Sequence, residues 1–169
     1  MYSLNIPVPG QIARHACDLA RELPNAHARP RGSHTLGVKR LVNQADEPYS
    51  RLEAKTRELL AGQPAFETRI TSIEYFADAP TGSSPVVHFH VESAELERLH
   101  QRLTTRFDPV DEIEGKGYSP HITIARGGSL ERAKNLVSRE IEAVTWTVDE
   151  LIFWDSKRNQ SVSSVSLPA

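Results

Sequence analysis

Stretches of apolar–polar alternation take turns with stretches of helical periodicity along this chain. Tyr2 to Val8 alternates and predicts a strand, closed by Pro9-Gly10. From Gln11 to Leu23, Ile12, Ala16, Leu19 and Leu23 recur on one face of a helix. A loop rich in Pro, Arg and Gly (24–33) leads to a strand from His34 to Val42, and Tyr49 to Ala61 reads as a second helix. Phe66 to Phe76 is a long strand whose alternation slips near Ser72, the mark of a bulge. After a turn-rich connection, 79–85, Val86 to Val91 forms a strand. Ser93 caps a helix with a stripe of Leu96, Leu99, Leu103 and Phe107. The loop 108–120 leads to a strand from His121 to Arg126, and Ser129 caps a helix carrying Leu130, Ala133, Val137 and Ile141. Two strands, Val144 to Trp154 and Gln160 to Leu167, close the chain as a hairpin.

Strand, helix, histidine strand and helix therefore occur twice, over residues 1–64 and 84–143 of a single domain spanning 1–169. The repeat lies in order and spacing, with negligible identity between the halves. Related by a pseudo-two-fold axis, the halves would face their histidine strands across one cleft.

Composition narrows the class only a little. The chain is 38% hydrophobic and 25% charged, which excludes global disorder. A formal net charge of −2 excludes a strongly basic nucleic-acid coat, while a local basic groove stays compatible with it. Cys17 is the only cysteine, so an internal disulfide and a cysteine-built metal site are both excluded. No run approaches the roughly 20 apolar residues of a membrane span, and no leader pattern opens the chain. A reduced, cytoplasmic protein away from membranes is the expectation.

The candidate chemistry sits in the two histidine strands, His34-Thr35-Leu36-Gly37-Val38-Lys39-Arg40 and His121-Ile122-Thr123-Ile124-Ala125-Arg126. Two imidazoles across a cleft could serve as one general base and one general acid. Strand parity puts His121, Thr123 and Ala125 on one face and Ile122 and Ile124 on the other. A threonine hydroxyl can donate to a phosphate oxygen, and Arg126 can grip an anion with its guanidinium fork. The same parity favours Arg40 over Lys39 as a cleft residue. It also turns Leu36 toward the cleft beside His34 and Thr35 away, unless a bulge reverses them or Ser33 supplies the hydroxyl. Arg29, Arg31 and Lys116 extend a basic rim around both motifs. His88 and His90 share a strand face as possible cleft residues, and Tyr118 offers an aromatic for stacking. A metal reading would join His88 and His90 to His34 or His121.

The segment Pro120-His121-Ile122-Thr123-Ile124-Ala125-Arg126 resembles the H-x-T-x signature of the two-histidine phosphoesterases, which include the 2′-5′ RNA ligase-like enzymes and RNA 2′,3′-cyclic phosphodiesterases. That superfamily carries two such motifs; here the two histidines are 87 positions apart. The resemblance implies an α+β, bilobal, pseudo-two-fold fold, with two antiparallel sheets lining a central cleft and helices outside. It implies a metal-independent phosphodiesterase without cofactor, opening a 2′,3′-cyclic phosphate at an RNA or nucleotide end to a 2′-phosphate, with reverse 2′-5′ ligation possible. His34 and His121 would then be catalytic, and Thr35 and Thr123 would hold the phosphate with Arg40 and Arg126. Substrates would be RNA ends or small cyclic-phosphate nucleotides, with no membrane or obligate protein partner. The first motif departs from the pattern, since Leu36 stands where threonine is expected. That departure supports a different reading, an RNA-end binding module that has lost catalysis; a histidine-ligated metal hydrolase is a third.

Overall fold

The computed structural model describes residues 1–43 and 46–169. In chain order its elements are β1 (Tyr2–Pro7), α1 (Gly10–Ala20), β2 (Ala26–Ala28), β3 (Thr35–Arg40), α2 (Tyr49–Leu60), β4 (Phe66–Phe76) and β5 (Val86–Glu92). Then follow α3 (Ala94–Leu103), β6 (His121–Gly127), α4 (Leu130–Val137), β7 (Val144–Val148), β8 (Glu150–Asp155) and β9 (Gln160–Ser166). The strands form two antiparallel sheets, one ordered β3-β1-β8-β9 and the other β2-β6-β5-β4-β7.

Period-two alternation decides which face of each sheet is covered. Leu4 and Ile6 on β1, Leu36 and Val38 on β3, and Leu151 and Phe153 on β8 are all buried. On the second sheet the same holds for Ile70, Ile73, Phe89, Val91, Ile122 and Ile124. Helices α1 and α4 pack on the second sheet, while α3 packs against β3 and β4 and touches α2. Each fully buried Leu or Ile contributes about 1.5–3 kcal/mol, and these side chains join in one continuous core. Ser93 and Ser129 cap their helices as the sequence predicts, accepting the amides of Leu96 and Arg132. The bulge expected in β4 falls between Ile70 and Ser72.

The expected single strand from Val144 to Trp154 is two strands in two sheets. β7 pairs with β4 and β8 pairs with β1, with Asp149 as the crossing point. Each half keeps period two, but parity shifts by one at the crossing, where the buried positions step from Val148 to Leu151 and Phe153. The expected loop 24–33 also contains β2, an edge strand on β6.

The antiparallel strand pairs β1–β3 and β5–β6 have the same register. Adding 83 to β1 numbers and 86 to β3 numbers lays Ser3↔Arg40 on Val86↔Arg126, Leu4↔Lys39 on Val87↔Ala125, and Asn5↔Gly37 on His88↔Thr123. It also lays Ile6↔Leu36 on Phe89↔Ile122 and Pro7↔Thr35 on His90↔His121. Each ladder slips by one residue at the same place, leaving Val38 and Ile124 as the extra residues. Beyond each bulge the parity resets, which turns Arg40 and Arg126 toward the cleft.

Candidate active site

A cleft of about 370 Å³ opens where β3 and β6 approach each other. Thr35, Gly37 and Arg40 line it from β3, and His121, Thr123 and Arg126 from β6. Arg29, Tyr118, Phe76, Asn5 and Trp154 complete much of the wall.

On β6 the expected parity holds from His121 to Ile124, while Ala125, expected on the cleft face, is turned into the core beyond the bulge. His121 and Thr123 face the cleft while Ile122 and Ile124 are fully buried behind them. The His121 Nδ1 lies 2.8 Å from the Ser119 carbonyl oxygen. Nδ1 therefore carries the proton and donates it, leaving the Nε2 lone pair bare. Burial, with Arg126 and Arg29 nearby, pushes the His121 pKa below the ordinary imidazole value. Its neutral, basic form prevails at neutral pH.

On β3 the expectation is overturned. Leu36 is fully buried in the core, so Thr35 faces the cleft without any bulge before it. His34 precedes the strand, is only 5% exposed and does not line the cleft. Both its ring nitrogens are buried without a hydrogen-bond partner, and burial followed by the Arg29 charge lowers its pKa. The reason is register. With the ladders superposed, Thr35 occupies the place of His121, Gly37 that of Thr123, and His34 that of Pro120. The two histidines are one residue out of correspondence. Ser33 is also buried and outside the cleft, its hydroxyl donating to the Pro30 carbonyl.

Thr35 is nevertheless well placed for an anion. Its Oγ1 accepts a hydrogen bond of 3.0 Å from Asn5 Nδ2, which leaves the hydroxyl proton free to donate into the cleft. Asn5 is a buried cleft residue that sequence reasoning missed, because nothing local announces a contact made 30 positions away. Arg29, Arg40 and Arg126 form no ion pair with a carboxylate among the described residues, and Arg126 donates only to the Thr81 carbonyl. Glu114 is the cleft's carboxylate, but its oxygens are taken by Lys39 Nζ at 2.6 Å and by the amides of Val110 and Arg40. The open charge of the cleft is therefore positive.

The remaining candidates fall elsewhere. His88 and His90 do not line the cleft; His88 is buried, and His90 Nδ1 lies 3.0 Å from Glu74. Lys116 and Arg31 are exposed and outside it. Tyr118 lines the cleft, but one ring face stacks on His100 at 3.8 Å and its hydroxyl donates to the Gly37 carbonyl, so it is not a free stacking platform. His100, which the sequence does not single out, ties the wall together. Its Nδ1 donates to the Val38 carbonyl and its Nε2 accepts from the Gly115 amide. Among the described residues no three His, Cys, Asp or Glu side chains gather in a group able to hold a metal ion. No helix there is long and apolar enough to cross a membrane.

Two sheets, a basic cleft and a cleft-facing H-x-T define a phosphoesterase-type fold, and comparison with known proteins specifies the class. A model of the 2′-5′ RNA ligase superfamily matches residues 41–160, and the chain belongs to that superfamily. The match begins just beyond β3 and includes the β6 motif. The fold is similar to that of TT0787 of Thermus thermophilus, with a TM-score of 0.68 at 16% identity over 98% of this chain and 97% of that one. It is also similar to LigT of E. coli, solved with 3′-AMP, with a TM-score of 0.67 at 16% identity over 99% of this chain and 98% of that one. A third solved structure, a phosphoesterase, gives a TM-score of 0.63 at 16% identity over 99% and 98% of the two chains. No curated protein matches the chain.

Proposed function

We propose that the chain opens a 2′,3′-cyclic phosphate at an RNA or nucleotide end to a 2′-phosphate, using one imidazole where its superfamily resemblance implies two. The observation that carries this reading is His121, neutral and with Nε2 bare, across the cleft from a threonine hydroxyl. His121 Nε2 takes a proton from water as the water oxygen bonds to phosphorus. The bond from phosphorus to the 3′ oxygen breaks on the opposite side, where the Thr35 hydroxyl donates a hydrogen bond and solvent supplies the proton. Thr123, Arg29 and Arg126 meet the charge that grows on the non-bridging oxygens. With a 5′ hydroxyl in place of water as the nucleophile, the same contacts would serve 2′-5′ ligation. No step needs a metal ion.

The loss of the first imidazole from the cleft favours one other reading, a module that holds such ends without turnover. A short RNA ending in a 2′,3′-cyclic phosphate, incubated in EDTA with wild type and His121→Ala, separates the two. Turnover by wild type alone supports the enzyme, and its pH–rate profile should show a single acid limb rising to a plateau. A bell would indicate a second titrating group, and tight binding without turnover would establish the module.

A further inference from the structure

His88 is buried beside the site yet has no part in the chemistry above, and its surroundings are unusually ordered. Its Nδ1 lies 3.1 Å from the Val86 carbonyl. One ring face stacks on Phe76 at 4.2 Å and 24°, and its ring meets that of His121 at 5.0 Å and 62°. Phe76 in turn meets His121 edge-on at 5.1 Å, closing a cluster of three rings. The repeat supplies an independent observation. His88 and Asn5 hold the same ladder position, paired with Thr123 and Gly37, and each reaches diagonally to the functional group two residues earlier on the neighbouring strand. Asn5 holds the Thr35 hydroxyl by a hydrogen bond, and His88 holds the His121 ring by packing.

Resting on the reading of His121 as the base, we propose that His88 is a positioning residue, which with Phe76 fixes the His121 ring so that Nδ1 stays on Ser119 and Nε2 faces the phosphate. Burial holds the His88 pKa down to about 3, so it adds no charge beside the base across the working range. The test is the imidazole nitrogen spectrum of His121 in the full chain, which reports its tautomer whether or not the protein turns over substrate. In wild type the spectrum should show a protonated Nδ1 and a bare Nε2. His88→Phe, which keeps the ring, should preserve it. His88→Asn and His88→Ala, which lose the ring, should give a mixture of tautomers, and Phe76→Leu an intermediate result. On a cyclic-phosphate substrate, His88→Ala should lower kcat about tenfold and leave KM within about twofold. An unmixed wild-type spectrum in both His88→Ala and His88→Asn would overturn the proposal. A wild type without turnover would overturn only the catalytic reading.

Discussion

The strand pairs β1–β3 and β5–β6 share a ladder pair for pair, down to the bulge, and differ in what they place on it. The β6 strand presents His121, Thr123 and Arg126; the β3 strand presents Thr35, Gly37 and Arg40 at the same positions. The arginine survives in both halves, while the imidazole survives in one. The repeated backbone thus places an arginine on both arms of the cleft and an imidazole on one. The inward position after the bulge differs as well. It holds Ala125 on β6, but Lys39 on β3, whose buried ammonium is met by Glu114 and by the carbonyls of Arg40 and Asp108.

The comparison breaks first at the histidines. His121→Ala should cost roughly 10²–10⁴ in kcat, whereas His34→Ala should leave kcat within about threefold; equal losses in steady-state kinetics would restore a two-histidine device. Lys39→Met leaves Glu114 buried and unpaired, and denaturant unfolding should show a loss of about 3–5 kcal/mol. Adding Glu114→Gln should return part of it. Thr35→Val and Thr123→Val should each cost about 1.5–3 kcal/mol in kcat/KM, the worth of a hydrogen bond to a charged group. A much smaller loss at Thr35 would mean that the phosphate leans on β6 alone.

The smallest effect concerns His34 and pH. His34, His88 and His100 have folded-state pKa values below the unfolded value near 6.5, each chiefly through burial. Between the folded and unfolded values the unfolded chain binds more protons, so stability is complete above about pH 6.5 and falls as pH drops. The slope approaches about 1.4 kcal/mol per pH unit for each histidine. His34→Leu removes one of these groups and its two unpartnered nitrogens. Unfolding midpoints measured from pH 7 to 4 should fall less steeply than in wild type, with stability at pH 7 unchanged or slightly raised.

Most of the element order and the His121-Ile122-Thr123-Ile124 part of β6 are legible in the sequence, because hydrophobic periodicity and capping are local, while the bulge that turns Ala125 inward is not. Aligning His34 with His121 by residue type puts the halves one position out. Aligning the apolar pairs Leu36 with Ile122 and Val38 with Ile124, and Arg40 with Arg126, gives the offset seen in the ladder. The apolar pattern carries the register because burial enforces it, whereas a histidine outside the strand is free to fall at any position. Asn5 and the His100 tie have no such trace, since each depends on partners far along the chain, while the crossing at Asp149 shows only as a one-residue shift of parity between Val148 and Leu151.

The crossing at Asp149 bears on how the molecule is made. As the chain emerges from the ribosome, β1 meets β3 early, yet its other neighbour is β8, and Tyr2 waits for Asp155 before its pairing is complete. The β5–β6 wall has both its strands by residue 127. The wall carrying Thr35 and Arg40 is therefore finished after the wall carrying His121, and it is sealed by a segment whose preceding residues are already woven into the opposite sheet. Late in synthesis, one strap draws the two walls together.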